Sequence, residues 1–215
     1  MPQLLTLLLF FISATSFAQV AVKASANFPQ TRWSGVEAPA EELFDWETGS
    51  EFALGYWFRL KNKRIEFLPS VYYAGTSSGD LDLRELGAAF NVNIYPFDFG
   101  GDCDCPTFGK QGPKLEKGFF IQLTPGYARY QLDSPIATFE SSGGFTFGGG
   151  VGLDIGVTNF LTISPIASVR VGTETFAGDL ALTDVNGLPI ANASLKLTTL
   201  QVGLRALFRF DHKRY

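Results

Sequence analysis

Three sets of residues in this chain have the type and spacing to do chemistry. The first is a Cys-x-Cys pair, Cys103 and Cys105, interleaved with Asp102 and Asp104. Thiolates beside carboxylates suit a soft or borderline metal ion, but neither the full spacing of a zinc site nor a histidine accompanies them. A disulfide between positions two apart would be strained, so free or partner-linked thiols are the other reading. The second set is the glycine-dense run SGGFTFGGGVGLDIGV, Ser142 to Val157. A phosphate-cradling loop clusters its glycines at one turn between a strand and a helix. Here the glycines keep a period of two, no Lys-Ser/Thr follows, and no helical pattern opens afterwards. The third set is eight charges on rows of otherwise small residues: Glu51, Glu66, Glu85 and Asp154 against Arg59, Arg170, Arg205 and Arg209. Four against four balances, and buried charges are tolerated when paired.

The second and third sets sit on strands. Alternating segments recur at roughly 20–28, 51–60, 65–74, 84–96, 119–130, 144–156, 160–172 and 195–210, with helical periodicity nearly absent. Most approach the roughly 9–11 residues a tilted strand needs to cross a bilayer. Short or basic connections, such as Lys61-Asn62-Lys63-Arg64 and Val157-Thr158-Asn159, follow the even-numbered strands. Longer, acidic connections (29–50, 75–83, 131–143, 173–194) follow the odd ones. Residues 97–118, which carry both cysteines, break that rule. Short turns at one end and long loops at the other is the layout of an outer-membrane barrel.

Two rows emerge from each strand. One is apolar, as in Phe52, Leu54, Tyr56, Phe58 and Leu60; the other is small and mostly uncharged, as in Ala53, Gly55, Gly87, Ala89, Gln122, Thr124 and Gly203. A water-facing row is normally rich in charge. The small rows instead suit the crowded interior of an eight-stranded barrel, with the apolar rows on lipid. The expected fold is all-β: an eight-stranded antiparallel up-and-down transmembrane β-barrel, its lumen filled by the Arg–carboxylate network. The alternative is a soluble, lipocalin-like periplasmic barrel with the apolar rows turned inward on an apolar ligand.

Leu4 to Ile12 is a nine-residue apolar run, too short to span a bilayer as a helix, and Ser16-Phe17-Ala18 has the small-x-small form of a cleavage site. Residues 1–18 are therefore expected to be a signal peptide cleaved before Gln19, leaving 19–215 as one barrel domain, although the leader has no Lys or Arg. Only 18% of the chain is charged, and its formal net charge of −4 argues against nucleic acid as a partner.

On these patterns the chain resembles the small outer-membrane β-barrels of the OmpX/OmpA-barrel type. The most specific piece is Gln201-Val202-Gly203-Leu204-Arg205-Ala206-Leu207-Phe208. It is similar to the terminal-strand signal such proteins present to the barrel-assembly machinery, with Gln201, Gly203, Ala206 and Phe208 at the matching positions. The chain runs on past that signal to Tyr215, which departs from the pattern. The resemblance implies an outer-membrane location and a structural or interaction role in the cell envelope rather than a general porin. Some barrels of this class are lipid A deacylases or proteases that use a rim histidine. The one histidine here, His212, falls beyond the last strand at the opposite end, so no enzyme and no cofactor are expected. Three basic residues on the apolar rows, Arg84, Arg129 and Lys196, fall near the long-loop end. They are candidates for contact with lipopolysaccharide phosphates, because charge on the lipid face is inexpensive only near the interface. An envelope protein partner is expected to engage the loops or segment 97–118.

Overall fold

The computed structural model of the protein describes residues 19–34, 45–60, 65–98, 118–133, 141–158, 160–173, 176–177 and 194–209. Eight long strands form the wall. They are β1 (Gln19–Ser34), β2 (Gly49–Tyr56, continuing as Phe58–Arg59), β3 (Ile65–Ser78), β4 (Leu81–Ile94), β5 (Phe119–Asp133), β6 (Ser142–Leu153, continuing as Ile155–Gly156), β7 (Leu161–Gly172) and β8 (Ser194–Arg209). Each pairs antiparallel with its sequence neighbour, and β8 pairs with β1, so the sheet closes on itself. A two-residue strand, Phe176–Ala177, adds to the start of β8.

Side-chain parity follows the sequence pattern. Phe52, Leu54, Val71, Tyr73, Leu86, Leu123, Phe145, Phe147, Leu200, Val202 and Leu204 stand on the outside, with Phe52 62% and Phe145 64% exposed. Glu51, Glu66, Glu85, Gln122, Asp154, Ser164, Arg170, Gln201 and Arg205 are buried inside. That distribution rules out an apolar ligand in an apolar lumen. On β1 the exterior row runs from Val20 to Phe28, nine residues; at ~3.3 Å rise and ~40° tilt this spans about 23 Å, close to the apolar band of a transmembrane barrel. An aromatic girdle borders the short-turn end. Phe58 stacks on Phe67 at 5.2 Å, Phe67 meets Phe90 at 5.6 Å, and Phe97–Phe119 and Phe160–Phe208 continue it.

The interior is narrow, so each large inward side chain needs a small one beside it. Tyr72 is register partner to Gly87 and Phe120 to Gly152. A Cβ on either glycine would fall within the partner's ring. Gly148 lies opposite Arg170. The glycine face of β6 is therefore the space that the bulky side chains of its neighbours occupy, and no phosphate loop forms there.

Several boundaries differ from expectation. β1 continues to Ser34, with β8 beside it residue for residue, where the pattern placed a loop from 29. Above the lipid band, ladder hydrogen bonds hold the strand and apolar alternation is no longer required. The connection expected at 75–83 is a two-residue turn, Gly79-Asp80, between Ser78 and Leu81. Gly79 takes φ +57°, the left-handed conformation a tight hairpin favours at its first position. Breaks at Trp57 and Asp154 interrupt β2 and β6 where both side chains turn into the lumen.

Candidate functional site in the barrel lumen

The inward charges gather into two tiers separated by a neutral polar layer. Nearer the long loops, Arg170 forks between two carboxylates. Its Nη1 donates to Glu51 Oε2 at 2.7 Å and its Nη2 to Glu85 Oε2 at 2.8 Å. The guanidinium lies 4.3 Å over the Tyr72 ring, and the Tyr72 hydroxyl donates to Glu85 Oε1 at 2.7 Å. Lys23 Nζ reaches Glu51 Oε1 at 3.1 Å, and Gln201 Nε2 donates to Glu51 Oε2 at 2.6 Å and to Asn27 Oδ1 at 3.1 Å. These bonds tie β1, β2, β3, β4, β7 and β8 together across the bore. Above them, Leu83, Leu132 and Leu197 point inward with Tyr130, and Trp46 packs against that cluster.

At the short-turn end Arg205 Nη2 donates to Asp154 Oδ1 at 3.2 Å and to Ser164 Oγ at 3.3 Å. Its guanidinium lies 5.0 Å over Phe120. Tyr95 directs its hydroxyl at both Glu66 Oε2, at 2.8 Å, and Asp154 Oδ2. The Trp57 indole donates to Glu66 Oε2 at 2.7 Å. Between the tiers Gln122 donates to Asn93 at 2.9 Å, Thr124 to Asn91 at 3.0 Å, and Asn91 to Ser70 at 3.0 Å. The layer encloses a cavity of about 30 Å³, bounded by Lys23, Asn91, Gln122, Ser168 and Gln201 among others. That is room for one or two waters among polar partners.

Of the eight charges read from the sequence, five meet: Glu51 and Glu85 on Arg170, and Asp154 on Arg205. Glu66 meets Trp57 and Tyr95 among the described side chains. Arg59 and Arg209 lie on β2 and β8, in register with Glu66 and Gln19, but their side chains are outside the described set. Lys23, Tyr72, Tyr95 and Trp57 were missed by sequence reasoning. Parity alone would have found all four: Lys23 shares the inward row of Ala21, Ser25 and Asn27, Trp57 that of Glu51, Tyr72 that of Glu66, and Tyr95 that of Asn93.

Arg84, Arg129 and Lys196 are all exposed on the outer wall. Arg84 and Arg129 lie on neighbouring strands, each bound locally: Arg84 to Asp133 at 3.4 Å and Arg129 Nη2 to Ser141 at 2.7 Å. Lys196 is on β8, away from both, so the three do not form one patch. In the terminal-strand signal, Gln201 and Gly203 face inward, while Phe208 packs on Phe160 outside. Cys103, Cys105, His212 and residues 1–18 lie outside the described residues; among those described, no cluster of metal-binding side chains occurs.

A closed eight-stranded ring, apolar outside and charged inside, defines the class: a small transmembrane β-barrel of the outer-membrane type. No protein-family model and no curated protein sequence matches the chain. Solved structures similar to it include Neisserial surface protein A, at 13% identity over 86% of this chain and 95% of that one, TM-score 0.45. The attachment invasion locus protein Ail of Yersinia pestis is similar at 12% identity over 89% and 99%, TM-score 0.43. A major outer membrane protein of Thermus thermophilus is similar at 13% over 90% and 99%, TM-score 0.43. The class rests on the chain's own closure and its apolar exterior.

Proposed function

We propose that this protein is an outer-membrane barrel whose lumen is plugged, and that it serves the cell envelope as a structural or interaction element. It is neither a general porin nor an enzyme. The observation that carries this reading is the Arg170 fork to Glu51 and Glu85, which crosses the bore with all three side chains buried. An open channel would leave such groups in water. The bilayer contacts come from the apolar rows. Outer-leaflet phosphates meet Arg84, Arg129 and Lys196 individually at the long-loop rim, and the barrel-assembly machinery reads the end of β8. The loops and segment 97–118 are left for an envelope partner.

The first test is gel mobility of detergent-extracted envelope with and without boiling, since a closed ring of backbone hydrogen bonds resists SDS until heated. Purified protein is then placed in planar bilayers. A heat-dependent mobility shift with no steady porin-like conductance is expected. Recovery in the soluble fraction would sink the membrane reading, and sustained ohmic conductance would sink the plug. Replacing Arg84, Arg129 and Lys196 together by Gln is expected to weaken lipopolysaccharide association; unchanged association would end that part. Acyl-chain release from lipid A would overturn the non-enzymatic assignment.

A further inference from the structure

The two tiers differ in their supply of cations. Near the long loops Lys23 and Arg170 face Glu51 and Glu85, two against two. At the short-turn end the described side chains offer one cation, Arg205, to two carboxyls, Glu66 and Asp154. Glu66 is 1% exposed and Asp154 6%. The shared partner is the Tyr95 hydroxyl, itself 1% exposed and in hydrogen-bond contact with Glu66 Oε2 at 2.8 Å and with Asp154 Oδ2. A phenol carries one proton. It can donate to only one of those oxygens, so the other oxygen–oxygen contact needs a proton of its own.

We infer that this tier is a proton-binding site: Glu66 holds the proton and donates it to Tyr95, whose hydroxyl donates in turn to an ionised Asp154. The surroundings decide which carboxyl is neutral. Asp154 receives the Arg205 guanidinium and the Ser164 hydroxyl as well as Tyr95. Those donors favour the charged form. Among the described residues Glu66 meets the Trp57 indole and the Tyr95 hydroxyl, no cation, and its Oε1 has no hydrogen-bond partner. A buried carboxylate without a cation is far costlier than a neutral acid. The described groups around Glu66 are Trp57 from β2, Asn93 and Tyr95 from β4 and its end, and Gln122 and Phe120 from β5; Arg59 of β2 is the register partner of Glu66, with its side chain outside the described residues. Asp154 from β6, Ser164 from β7 and Arg205 from β8 complete the tier; Lys23 of β1 is bound to Glu51 in the other tier. With one proton the described ionisable side chains of this tier, Glu66, Asp154 and Arg205, sum to zero charge.

The test is infrared spectroscopy of the whole refolded barrel at neutral pH, in light and heavy water. A carbonyl band of an un-ionised carboxylic acid, shifting in heavy water and absent from Glu66→Gln, is expected. A wild-type spectrum with no such band overturns the inference without any variant being needed. Stability supplies a second reading. Glu66→Gln is neutral, but Trp57 and Tyr95 both meet Oε2, where an amide can serve one of them and not both, so its thermal unfolding midpoint should fall by only roughly 1–6 °C, the loss of one hydrogen bond. Asp154→Asn should lower the midpoint by roughly 6–20 °C, because it strands the Arg205 charge. Equal losses in the two variants would show that Glu66 is ionised. A loss beyond that range in Glu66→Gln, matched by Arg59→Gln, would assign its charge to Arg59 and overturn the inference equally.

Discussion

Replacing Arg170 by methionine removes one of the two cations of the long-loop tier while keeping most of the side chain's volume. Arg170 is 6% exposed, so its two ion pairs are shielded from water and salt. Without it Glu51 keeps Lys23 at 3.1 Å and Gln201 at 2.6 Å. Among the described residues Glu85 keeps the Tyr72 hydroxyl at 2.7 Å and no cation. One buried carboxylate is thus left uncompensated, a loss of about 3–5 kcal/mol. Adding Glu85→Gln restores a one-to-one balance of Lys23 and Glu51, and the double variant should recover about 1–3 kcal/mol. The exposed Arg84–Asp133 pair, at 3.4 Å with side chains 51% and 40% exposed, is the control: Arg84→Gln should cost ~0–1 kcal/mol, less in high salt. The assay is urea unfolding in lipid vesicles, followed by tryptophan fluorescence and heat-dependent gel mobility. The reasoning fails if Arg170→Met stays within ~1 kcal/mol of wild type, or if Glu85→Gln destabilises Arg170→Met further.

Three other outcomes are expected. Gly152→Val should prevent or severely weaken folding, because even a Cβ there meets the Phe120 ring, whereas Gly149→Ala, whose Cβ has its nearest neighbour 3.7 Å away, should fold as wild type; refolding yield in vesicles separates them. Leu204→Arg puts a charge on the lipid face midway along β8, where the wild-type side chain is 58% exposed, and should cost roughly 2–4 kcal/mol in the same urea assay. Leu204→Phe at that position should be close to neutral. Tyr72→Phe removes one hydrogen bond to a buried carboxylate and should cost about 1.5–3 kcal/mol, while conductance in planar bilayers stays closed because the Arg170 fork remains.

Which side of the wall each residue faces was legible from the sequence, because strand parity is a local property with a period of two. Phe52 outside and Glu51 inside, or Phe145 outside and Thr146 inside, follow from neighbouring letters alone. The eight-strand count and the glycine face of 142–157 came from the same alternation. Ring closure and register decided the rest. Arg170 meets Glu51 and Glu85, 119 and 85 residues away, because closing β8 onto β1 brings distant strands to one level. Nothing local separates that outcome from the pairing of Glu66 with Trp57 and Tyr95. Parity puts the aromatics Tyr72, Tyr95 and Trp57 on the inward rows, but which carboxylate each meets was set by register. The long β1–β8 ribbon was invisible for a related reason: beyond Phe28 backbone hydrogen bonds hold it, and those leave no mark on side-chain alternation. Sequence determined the two faces of the wall; the closed ring determined which charges share a level and which are left to share a proton.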